Sequence, residues 1–106
     1  MSIKERIEAG WIRTVLVIEI LGKPAARVSE VLKMVVQRIE EDNREDLEIL
    51  DKKFFEPRLI ENTENAFTAF VEVEVLLKGL KKLVDVIFDY MPASVEIVEP
   101  EELKMK

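Results

Sequence analysis

The sequence predicts a single α+β domain whose strands and helices follow one another in the order β-α-β-β-α-β. Two segments, WIRTVLVIEIL at 11–21 and AFTAFVEVEVL at 66–76, are rich in β-branched and aromatic side chains and divide into two faces at a two-residue period, the pattern of strands. Each is followed by a stretch with the three- and four-residue apolar spacing of a helix. The 106 residues match the usual size of one domain, and no linker, internal repeat or low-complexity stretch marks a second unit.

Taken in order, residues 1–10 form a helical lead-in. Ser2 and Glu5 have the spacing of a capping box, Ile3 and Ile7 share a face, and Gly10 can end the turn. In the first strand, Ile12, Thr14, Leu16, Ile18 and Ile20 fall on one side and Arg13, Val15, Val17 and Glu19 on the other. Gly22-Lys23-Pro24 breaks the strand, and Pro24 suits the first position of a helix that runs to about Glu41. Its apolar stripe is Val28, Val31, Leu32, Val35 and Ile39. Asp42 to Glu45 is a polar turn.

Residues 46–56 alternate less cleanly, and Lys52, Lys53 and Pro57 suit an edge strand, where charge and proline discourage pairing with a neighbour. PRLIENTEN connects this segment to the strand over 66–76. There Phe67, Ala69, Val71, Val73 and Val75 face one way, and Thr68, Phe70, Glu72 and Glu74 the other. The second helix spans Leu77 to Met91 with Leu80, Leu83, Val84, Ile87 and Phe88 inward, and Pro92 ends it. A short strand from Ala93 to Val98 precedes an acidic tail over 99–106. This order is the ferredoxin-like arrangement: a four-stranded antiparallel sheet with the first and third strands central, both helices on one face and the other face open.

Composition narrows the chemistry. The absence of Cys and His removes disulfides, thiol nucleophiles, Cys/His zinc sites and imidazole acid–base catalysis. Ser2, Ser29 and Ser94 lack a His or a Ser-x-x-Lys lysine, and Gly10, Gly22 and Gly79 are too isolated to cradle a phosphate. We therefore expect no catalytic constellation and no cofactor. The net charge of −6 disfavours nucleic acid, whose affinity depends on Lys and Arg neutralising phosphates. Glu19, Glu72, Glu74 and Glu96 read as alternating carboxylates on a solvated face, with no metal expected. Charges interrupt every apolar run, so no membrane span is expected. With no basic-then-apolar leader either, the expected location is the cytoplasm.

The open face then carries Val15, Val17, Phe54, Phe70 and Val98 as an apolar patch ringed by charge. An exposed patch of this kind marks an interface, and the leading expectation is a homo-oligomer formed through it or through a sheet edge. Coverage by the lead-in helix or the tail is the competing reading.

Val17 to Leu32, VIEILGKPAARVSEVL, is similar to the first strand, turn and helix start of ACT domains, regulatory modules that bind amino acids at subunit interfaces. The resemblance implies a small-molecule site at the turn, near Gly22, Lys23, Pro24 and Arg27. With 36% charged residues, one Gln and three Asn, the chain also resembles small uncharacterised proteins of thermophilic archaea.

Overall fold

The computed structural model describes residues 2–102. Its elements are α1 (Ile3–Glu8), β1 (Ile12–Gly22), α2 (Ala25–Asp42), β2 (Leu47–Phe54), β3 (Arg58–Leu59), β4 (Phe67–Leu77), α3 (Leu80–Tyr90) and β5 (Ser94–Glu99). The sheet is antiparallel and ordered β2-β4-β1-β5, with the two-residue β3 also paired to β4. This is a ferredoxin-like α+β arrangement with the two most apolar strands in the middle. It has one short strand more than expected, because the connection PRLIENTEN briefly continues the edge begun by β2. The acidic tail is described through Glu102; residues 103–106 lie outside the described residues.

The strand alternation predicts the core. Ile12, Leu16 and Ile18 of β1 pair with Leu77, Val73 and Val71 of β4, and all six are at most 3% exposed. α2 closes this layer with Val28, Leu32, Val36 and Ile39, a stripe at four- and three-residue intervals. Val36, outside the predicted stripe, replaces the half-buried Val31 and Val35 as a core residue. Each such side chain contributes about 1.5–3 kcal/mol on burial. Gly22 has a packing role at the start of α2, since a Cβ there would lie 3.3 Å from Cγ2 of Val28. Pro24 is the N-cap of α2 rather than its first helical residue.

α1 forms the expected capping box: Glu5 N donates to Ser2 Oγ and Ser2 N donates to Glu5 Oε1. Its Arg6 donates to Glu48 at 3.0 Å and lies over the Trp11 ring, which ties the helix to the lower end of the sheet. Leu76, next to Glu48 in the ladder, is fully buried although it belongs to the face opposite α2. The lead-in helix thus reaches one end of the open face through Arg6.

The second helix is rotated from the predicted setting. Leu83 and Val86 are buried, with Ile87 and Tyr90 packed beside them, whereas Leu80, Val84 and Phe88 are exposed. A polar contact accounts for the choice. Asn43 is buried at the end of α2, donates to the Ile39 carbonyl at 2.7 Å and donates to the Tyr90 hydroxyl at 3.0 Å. Turning α3 to bury Phe88 would withdraw Tyr90 and leave one of the two N–H groups of the Asn43 amide without its partner, at about 1–3 kcal/mol. α3 also carries Lys81 and Lys82 in its first turn and Asp85 and Asp89 beyond, with no acid at its start and no base at its end. That is the reverse of what the helix dipole favours, by about 0.3–1 kcal/mol per charge.

Candidate interaction surfaces

Two surfaces compete for the role of interface, and strand register separates them. On the open face, Val15 stands between Glu96 and Glu74, and Val17 between Ser94 and Glu72. Phe70 is opposite Glu19 and stacks on Phe55, ring centroids 4.4 Å apart, with Lys53 over the Phe55 ring. Each valine of the predicted patch is therefore flanked by a carboxylate across the ladder. Arg13 adds a charge at the lower end. It reaches Glu74 at 2.7 Å, diagonal to its ladder partner Leu76. The hydrogen bond to Glu74 raises the Arg13 pKa against the lowering effect of burial, and the charges of Glu74 and Glu99 add to the rise. The guanidinium stays charged wherever the protein is folded.

Phe54 and Val98 do not lie where the alternation put them. A bulge between Ile49 and Asp51 inserts Leu50, so β2 slips by one residue and every later side chain changes face. Lys52 and Phe54 pair with Val73 and Val71 and turn to the helix side. There Phe54 lines a cleft of about 150 Å³ with Ser29, Leu32 and Lys33. Phe55 takes its place on the open face. In β5 the register shifts between Glu99, opposite Arg13, and Ile97, opposite Thr14, which leaves Val98 as the extra residue of a bulge.

The second surface was not foreseen. Among the described residues β5 is an edge strand bonded only to β1, and its helix-side residues Val95 and Ile97 stay more than a third exposed because α3 does not cover them. α3 faces α2 through Tyr90, so its outer stripe lies on the flank away from α2. A right-handed crossover places β5 on that flank. The stripe is Leu80, Val84 and Phe88, with Phe88 at 72% exposure, and Met91 extends it at 75%. Met91 also holds a left-handed backbone conformation, φ 46°, where glycine is usual, at the corner joining α3 to β5. The sequence signal was present: seven apolar residues among the twelve from Leu80 to Met91, plus Tyr90, make an arc wider than one contact can bury.

The turn at Gly22, Lys23, Pro24 and Arg27 remains together at the start of α2. Lys23, Pro24 and Arg27 are exposed, and the contact with Val28 accounts for Gly22 without a ligand. Among the described residues, no cluster of three or more acidic groups could hold a metal ion, and no helix is long and apolar enough to cross a membrane.

No curated protein and no solved structure matches this sequence. A family model does, over residues 13–106, from β1 through the carboxyl terminus. The chain belongs to the MJ0538 family.

Proposed function

We propose that this protein is a non-enzymatic interaction module that self-associates through the α3–β5 flank. The reading rests on the exposure of Leu80, Val84 and Phe88 of α3 and of Val95 and Ile97 of β5, which the right-handed crossover sets on the same side of the domain. Exposed apolar surface of this kind is typical of interaction sites. Catalysis has little to draw on, since His and Cys are lacking. The open-face version of the reading rests on Val15, Val17 and Phe70 and is weakened by the carboxylates between them.

An amino-acid-sensing role at Gly22, Lys23, Pro24 and Arg27 has less support, because that turn is exposed and Gly22 has a packing role. Light scattering across a concentration series tests the leading reading. A mass that rises to a multiple of the 12.3 kDa chain supports it; a strict monomer at millimolar concentration contradicts it. Thermal-shift measurements with free amino acids test the other, since a ligand bound to the native state raises the melting temperature.

A further inference from the structure

We infer that two copies join edge to edge through β5, antiparallel, so that one sheet runs through both and α3 of each packs on α3 of the other. This rests on the self-association proposed above and adds the partner and its geometry. Two features point the same way.

The first is the free edge. Among the described residues no strand pairs with the outer edge of β5, whose row of backbone N–H and C=O groups is a template for a further strand. The opposite edge, β2, carries Lys52 and Lys53, one on each face, with a bulge and Pro57, whereas β5 has its own bulge at Val98 and Pro100 after it but keeps Ser94 to Ile97 regular. In β5 the charges are Glu96 and Glu99, whose ladder partners Val15 and Arg13 place them on the open face, while Val95 and Ile97 face the helix side. A second β5 with Val95 opposite its own copy sets Ser94 against Glu96 and keeps the glutamates from facing each other.

The second is parity. A two-fold axis perpendicular to the sheet keeps both α3 helices on the same side, where the Leu80, Val84 and Phe88 stripes meet across the new strand pair. Edge pairing and apolar burial are then satisfied by one operation, as an isologous interface requires.

The natural chain has no cysteine, so single-cysteine variants report without background. Mild oxidation of Val95→Cys is expected to give a covalent dimer, because facing strands bring Cα atoms to about 5 Å. Glu72→Cys, on the open face, is expected to give none. Spin labels on Lys53→Cys, on the far edge, are expected about 34 Å apart, seven strand spacings. Phe88→Asp is expected to weaken association about tenfold or more while the circular dichroism spectrum is retained. A dimer that cross-links through Glu72→Cys, with Lys53→Cys labels well inside that distance, would overturn the edge-to-edge geometry and leave self-association standing. A protein monomeric at every concentration would overturn both.

Discussion

The two helix-covered halves of this small sheet are built to different standards. α2 is 18 residues long and sends Val28, Leu32, Val36 and Ile39 into the strands beneath it. α3 is 11 residues long, buries Leu83 and Val86, and leaves Leu80, Val84 and Phe88 outside. The strands repeat the contrast. β4 has Val71, Val73 and Val75 fully buried, whereas β5 is exposed along nearly its whole length. One half is a finished core, and the other has the composition of a core with one side missing. Apolar residues are the same material in both places; what differs is whether the chain supplies a covering layer.

The sharpest way to break the comparison is to truncate one residue from each half. Leu32→Ala should lower stability by about 2–5 kcal/mol, because it empties a fully buried site. Phe88→Ala should change the stability of the dilute monomer by no more than about 0.5 kcal/mol, since the ring is already in water. Urea titrations at low protein concentration compare the two directly, and equal losses would remove the distinction.

The contact that joins the halves comes next. Asn43→Ala removes the donor to Ile39 and Tyr90 and should cost about 1–3 kcal/mol, read by thermal or urea unfolding. If Tyr90 sets the rotation of α3, Tyr90→Phe should lose part of this amount, and the two changes together should cost less than their sum.

Met91→Gly separates folding from assembly. Glycine relieves the left-handed backbone at this corner and should raise monomer stability by about 0.5–1 kcal/mol. It also removes an exposed side chain from the flank, so association should weaken. A change in both quantities in the same direction would speak against an interfacial role for this position.

The smallest effect belongs to the open face. A double-mutant cycle on Arg13→Ala and Glu74→Ala should give a coupling of about 0.2–1 kcal/mol that shrinks as salt is added, because the pair is partly exposed. Its pH sign follows from Arg13. A raised pKa means that the stabilisation contributed by its charge is present below the ordinary arginine value and is lost only as pH climbs through the higher folded one. Raising pH from neutral into the mildly alkaline range should therefore leave the coupling intact.

What could be read from the residues alone follows physical lines. β1 and β4 were legible because runs of eleven mostly β-branched and apolar residues read at a two-residue period assign every side chain to a face, and the central pair needs that assignment. The first helix was legible from its stripe, apart from Val36. β2 was not fully legible, since a bulge at Leu50 is invisible to a two-residue period. The adjacent apolar pairs Ile49-Leu50 and Phe54-Phe55 are its trace in the sequence. A similar bulge removed Val98 from the expected patch. The rotation of α3 was hidden for a different reason. Its apolar arc admits two settings, Leu80/Leu83/Val84/Ile87/Phe88 or Leu83/Val86/Ile87/Tyr90, and a hydrogen bond from Asn43, 47 residues away in the chain, decides between them. The candidate site was lost with that decision, because residues expected to fill the core became the exposed flank.

The account stands on that flank being the place where copies meet. Sedimentation equilibrium of the natural chain beside Phe88→Asp and Phe70→Glu measures this most directly. We predict that the natural chain and Phe70→Glu dimerise alike and that Phe88→Asp stays monomeric and folded. A dimer abolished by Phe70→Glu and untouched by Phe88→Asp would contradict the account and move the interface to the open face.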